Sequence, residues 1–302
     1  MATMTETPAP PAAVTPSHEY HAEAQVLSGN LRRPIEQVIE PQAPSTLRGR
    51  RSGHLTRFTD QVSIDGLVSF KMGFSRVSGT RSLKHDGWIT LSTSVVDDVN
   101  VLEVITADRI VSQVSTDHVY GQEHFPTVTF LGTQLRNLRI SGLPVQFRLN
   151  YQICGGRPLN NKSYLDKENA KFLADALRQA EAVCAAEGLP AELKKQYDEN
   201  RQIIAELMEG KRRSDEPKIV CSLVEGIQDI PEIGAKGYGH VLVIPGFGAV
   251  SLGEIEVAEK RHPELPLPDI YFKLQTFNAG LGCIAHGAVQ GPIATANGHH
   301  SP

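Results

Sequence analysis

A chain of 302 residues with 40 % hydrophobic residues and a formal net charge of −4 has the material for a sizeable core and no electrostatic drive towards nucleic acid or an anionic membrane. No stretch approaches the ~18 apolar residues of a spanning helix. The four cysteines, Cys154, Cys184, Cys221 and Cys283, stand apart from one another and from histidine pairs. That argues against a structural zinc and against a disulfide scaffold, and buried free thiols are the expectation.

In chain order, seven of the nineteen prolines fall in residues 1–53, among few large apolar residues. This composition predicts a disordered Pro-rich arm, because it buries too little surface to offset its ordering entropy. Ile35, Val38 and Ile39 form at most a short sticky turn. Arg48, Arg50 and Arg51 read as a solvated charge run or a hold for an acidic partner. The first thirty residues lack an apolar signal core, so a cytoplasmic location is expected.

The ordered β domain is expected over 54–290. Val62, Ile64, Val68, Phe70 and Met72 alternate with Ser63, Asp65, Ser69 and Lys71, the period of a half-buried strand. His85-Asp-Gly87 reads as a turn. Strands follow at 88–96 and 99–106, with Asp97-Asp98 turning the chain between them, and at 110–114, 127–131 and 135–140. The cleanest alternation is Leu143 to Tyr151, where Val145, Phe147, Leu149 and Tyr151 share a face.

The period then changes. Phe172, Leu173, Ala176, Leu177, Ala180, Val183 and Cys184 recur at helical spacing, with Asp166 as the expected N-cap. Gly188 and Pro190 break the chain before a second stripe of Leu193, Tyr197, Ile204 and Leu207. A helical hairpin over 166–210 is therefore predicted as an insertion, with a Cys154–Cys221 bridge at its base as the alternative to free thiols. Strands resume at 219–224 and 240–244. Val250 and Leu252 share a face from which Ile255 and Val257 have slipped by one position, which predicts a bulge near Gly253. Ile270, Phe272 and Leu274 define a further strand, with Lys273 and Gln275 outward. Residues 291–302 read as a flexible tail whose His299-His300 pair is too short to argue for a metal.

No complete catalytic motif is present. Gly237-Tyr-Gly239 and Gly246-Phe-Gly248 do not complete a phosphate-binding loop and do not open a helix. No Gly-x-Ser-x-Gly elbow occurs. Asp97, Asp98, Glu103 and Asp108 would face different ways on alternating strands. The one polar cluster with metal or acid–base chemistry is Asp117, His118, Glu123 and His124, placed in a loop between strands and expected to splay into solvent.

Three segments, Val104-Ile-Thr-Ala-Asp108, Asn137-Leu-Arg-Ile-Ser-Gly142 and Pro245-Gly-Phe-Gly-Ala-Val-Ser-Leu-Gly-Glu254, resemble the bacterial choice-of-anchor P family of β-rich proteins. The resemblance covers about a third of the chain. It implies a bacterial surface protein of undefined activity and supplies no catalytic residues. The combined expectation is a mainly β protein, an antiparallel β-sandwich or jelly-roll-like domain with an inserted helical hairpin. Its expected role is non-enzymatic, structural or interacting, with no cofactor and with a protein partner engaged through the N-terminal arm or the hairpin. The alternatives are a β module for a small apolar ligand and a hydrolase with an unrecognised site.

Overall fold

The computed structural model describes residues 17–120, 125–158, 162–211, 214, 216–261, 268–282 and 286–301. Two large antiparallel sheets stack as a sandwich, and two helices form a hairpin at one side. The first sheet is built on Gly248–Lys260 paired with Asp269–Leu281. The second is built on Gly87–Val101 paired with Ile105–Val119.

The terminal segments depart from the sequence reading. Ser17–Gln25, Ser28–Arg33, Gln37–Ile39 and Ser45–Gly49 are strands of the first sheet, not a disordered arm. Residues 1–16 lie outside the described residues. The expected flexible tail contains the strand Ile293–Ser301, paired with Ser17–Gln25 on one side and Asp269–Leu281 on the other. The two ends of the chain thus hold each other. Composition misled because Ala22, Ala24, Ala294 and Ala296 are core residues, and alanine carries little hydrophobic signal.

The interior has two chemistries. Towards one end it is aliphatic and aromatic: Phe70, Val96, Ile105, Ile110, Leu252 and Phe277 belong to one buried cluster. Towards the other end Ala22, Ala24, Ser75, Ser92 and Ser94 are buried, and such small side chains let the sheets approach closely. Gly79 shows how closely, because an added Cβ there would lie 2.4 Å from the Tyr20 ring. The buried hydroxyls stitch the two sheets together. Ser92 donates to the Glu23 carbonyl (2.6 Å) and Ser94 to the Gln25 carbonyl (2.7 Å). Ser45 and Ser75 bond at 2.6 Å, and Ser112 bonds Thr276 and the Pro292 carbonyl. A buried hydroxyl without a partner costs several kcal/mol, so these pairings are a condition of the close approach.

Both spines change face midway. Gly253, at φ +63°, occupies a left-handed conformation that favours glycine, and opposite it Thr276 and Phe277 are both buried. Pairing resumes with Glu254 opposite Gln275 in the register of Leu252 opposite Phe277, so no residue is inserted and the expected bulge is absent. Instead both strands kink together, which switches the inward set from Val250 and Leu252 to Ile255 and Val257. The second sheet has the same device at Asp98 (φ +54°). Asp97-Asp98 therefore does not turn the chain, as the sequence suggested. It kinks one continuous strand, and the hairpin turn lies at Leu102-Glu103. The segment of cleanest alternation is divided into Leu143–Pro144 and Phe147–Leu149, which pair with different partners.

The helices run over Ala170–Cys184 (α1) and Ala191–Met208 (α2). Asp166 does not cap α1. Its carboxylate accepts the Ser163 amide (2.7 Å), and Asn169 holds the N-cap position. Phe172, Leu173, Ala176 and Ala180 of α1, with Ile204 and Leu207 of α2, join a cluster containing Ile219, Ile255, Phe272 and Leu274. Two carboxamides belong to the same buried surface. Gln179 donates to the Ser222 carbonyl (3.0 Å) and accepts the Ser222 amide (2.8 Å). Asn200 does the same for Val220, at 2.8 Å in both directions. Strand Lys218–Ser222 pairs with Gly248–Lys260 on one side, and these side chains satisfy its other edge. The hairpin thereby blocks an edge that would otherwise recruit another strand.

Candidate functional site

The face switch at Gly253 turns Glu254 and Glu256 to the outer side of the first sheet. Gln275 lies opposite Glu254 in register, and Asn278 lies opposite Gln290. Helix α2 crosses above them, presenting Leu193, Gln196, Tyr197, Asn200 and Ile203. Between helix and sheet is a cleft of about 390 Å³ lined by these residues with Glu199, Lys218 and Val220. Three carboxylates and five carboxamides make it predominantly polar.

At its base Tyr197 links two groups. Its hydroxyl lies 2.5 Å from His240 Nε2 and donates to Glu254 Oε1 at 2.5 Å. A tyrosine has one proton, so with the hydroxyl donating to the carboxylate the imidazole Nε2–H is the donor to the tyrosine oxygen. Tyr197 and His240 are buried, and the Glu254 side chain is 16 % exposed. Burial alone would raise the Glu254 carboxyl, but the bonds from His240, Tyr197 and Ser251 outweigh it and hold the group below the usual carboxylate range. Burial, reinforced by the Glu254 charge, pushes the Tyr197 phenol well up. At neutral pH the trio is therefore an ionised carboxylate held by a protonated tyrosine, which pins α2 to the sheet. Glu256 is paired with Lys218 (3.2 Å) and Glu199 with Lys195 (3.8 Å).

Of the polar cluster singled out from sequence, the two described members, Asp117 and His118, do not converge. Asp117 and His118 lie in strand Ile105–Val119, not in a loop, and consecutive strand residues face opposite ways. Asp117 meets His85 at 2.9 Å and, through that hydrogen bond, raises the imidazole pKa. His118 does not splay into solvent. It is buried, with its ring 4.7 Å from that of His18, which stacks on Trp88 at 5.1 Å. Glu123 and His124 lie outside the described residues. Among the described residues no three His, Cys, Asp or Glu side chains are grouped to hold a metal ion. Cys154 and Cys221 are buried free thiols in hydrogen-bond contact, and Cys184 is free. Pro245, Gly246 and Phe247 form the turn between Val241–Ile244 and Gly248–Lys260, and Gly248 opens the second strand opposite Ile244.

Tyr197 and Gln275 were placed by periodicity, one on a helix stripe and the other outward, but nothing in the sequence joined them. Asn200 has a local signal: three residues after Tyr197 and four before Ile204, it continues the buried stripe with an amide. His240, Asn278 and Gln290 carry no such signal, because their meeting depends on sheet pairing.

The family model described as a domain of unknown function, DUF8256, matches residues 18–258. No curated protein and no solved structure matches the chain.

Proposed function

The chain belongs to the DUF8256 family, and we propose that it is a non-enzymatic interaction module, a rigid β-sandwich that presents the cleft beneath α2 as its recognition surface. The observation carrying this reading is the employment of the groups that converge there. Tyr197, His240 and Glu254 bond one another, Asn200 closes a strand edge, and Glu256 is paired with Lys218. A catalytic acid or base must be poised to exchange a proton with substrate. Here the tyrosine is held protonated and the buried carboxylate ionised, both by scaffold contacts. Ser17–Gly49 is built into the first sheet, which leaves the hairpin and the cleft beside it as the surface for a partner.

The test is incubation of the purified chain with chromogenic ester, phosphomonoester and glycoside substrates. No turnover above buffer is expected. Turnover abolished in a folded Glu256→Gln variant would replace the binding reading with a hydrolytic one.

A further inference from the structure

We propose that the cleft beneath α2 takes a neutral, hydroxyl-rich ligand of carbohydrate chemistry, one or two sugar rings in size. This rests on the reading of the chain as a binding module and names the ligand class for that surface. The volume, about 390 Å³, is at the small end of the roughly 300–1,000 Å³ of ligand pockets. That suits a small glycan.

Chemistry selects the class. The cleft's carboxylates are already answered: Glu256 by Lys218, Glu199 by Lys195, and Glu254 by Tyr197 and His240. Lys218, in turn, is held by Glu256. An anion therefore finds no free cation among the described residues of the cleft, and each carboxylate already has a partner that a polycation would have to displace. What remains for a ligand is the row of carboxamides on the sheet, Gln275, Asn278 and Gln290. All three are half-buried, and cross-strand pairing places them on one outward face. Their hydrogen-bonding capacity is largely unspent. Gln275 makes one long bond to the Phe277 carbonyl (3.4 Å), Gln290 accepts one from Ser28 (3.5 Å), and Asn278 makes no side-chain bond among the described residues. A carboxamide offers a donor pair and an acceptor in one plane, which matches adjacent sugar hydroxyls acting as acceptor and donor. Each is fixed by a strand rather than a loop, so ordering costs little on binding.

The experiment is a titration of the full chain, labelled with ¹⁵N, followed through its side-chain amide resonances. The probes are glucose, galactose, mannose, N-acetylglucosamine and their β- and α-linked disaccharides, with spermidine and inorganic phosphate as the charged arms. Saturable shifts of the Gln275, Asn278 and Gln290 side-chain amides with at least one sugar are expected. Affinity for that sugar should fall about tenfold or more in Asn278→Leu. Gln275→Leu is the second variant, and a thermal midpoint within a few degrees of the parent qualifies either one as folded. Binding of spermidine or phosphate at these amides without a sugar response, sugar shifts confined to another surface, or no response to any probe would overturn the ligand class and leave the module reading standing. Cleavage of a bound disaccharide, seen as new anomeric signals, would refute the non-enzymatic reading while supporting the ligand class.

Discussion

At the scale of single residues, the polar contacts carry signs that a pH titration can read. Glu23, on the N-terminal strand, is held at about 2 by the hydrogen bond from His21, with Arg48 adding to it against the opposing effect of burial. Arg48 reaches the same carboxylate oxygen at 2.5 Å. A carboxylate whose folded pKa is depressed stabilises the fold fully above the ordinary carboxylate range. That contribution is lost as pH falls towards the folded value. The stability difference between the parent and Glu23→Gln should therefore be largest above about pH 5 and close towards about pH 2, as measured by urea denaturation across that range. A difference that stayed constant would show that the contact is packing rather than charge. Glu254 has the same sign. Replacing Tyr197 by Phe removes the donor from a mostly buried carboxylate and leaves the imidazole without its acceptor. The expected cost is about 1–3 kcal/mol, falling as acid protonates Glu254.

At the scale of elements, the hairpin is attached through the backbone of a strand as well as through its apolar stripe. Gln179 and Asn200 each give one donor and one acceptor to the free edge of Lys218–Ser222. Leucine at either position keeps the volume but strands a buried amide and carbonyl. We expect Gln179→Leu to lose about 1–3 kcal/mol by chemical denaturation, and the double variant with Asn200→Leu to associate through the uncovered edge, seen as concentration-dependent light scattering. A monomeric double variant would mean that the helices shield the edge by bulk alone. Both carboxamides sit at helical spacing within otherwise apolar stripes. The amphipathic pattern could be seen without them, but their role required knowing that a strand edge lies beneath.

For the whole molecule, the decisive feature is closure of the first sheet by both ends of the chain. Deleting residues 1–53 removes four strands of the first sheet, including Ser17–Gln25, which pairs with Ile293–Ser301, and with it the carbonyls that receive Ser92 and Ser94. The truncated chain should lose cooperative thermal unfolding. An unchanged midpoint would show the terminal strands to be accessories. The serine and alanine half of the interior makes a second prediction at this scale. Gly79→Val would force the two sheets apart at Tyr20 and should lower the thermal midpoint more than the same substitution at Gly66, where an added Cβ meets nothing within 4 Å. Both glycines lie in the second sheet's half of the chain, and Gly66 also has φ +70°, so any excess at Gly79 exceeds a cost of backbone strain and reports the close sheet contact.

Much of the architecture was legible because it rests on local periodicity. Alternation marked the half-buried strands, the three- and four-residue stripes marked both helices, and the one-residue slip after Leu252 located the change of face at Gly253, though not the in-register kink that produces it. These signals survive in a linear string because the side-chain direction of a strand or helix repeats every two or 3.6 residues. The terminal strands were hidden because much of their buried face is alanine and serine, Ala22, Ala24, Ser45, Ala294 and Ala296 among them, with large residues such as Tyr20 and Leu31 too widely spaced to show a period. The burial of small residues depends on an opposite sheet close enough to cover them. The cleft was hidden for a related reason. Tyr197, His240, Glu254, Gln275, Asn278 and Gln290 come from a helix and several strands, and only long-range antiparallel pairing sets them side by side. The sequence alone determined the two helices, the strands with a clear apolar alternation, and which of their faces would be wet. Tertiary structure alone decided which wet faces meet, because register and sheet order depend on contacts between residues far apart in the chain.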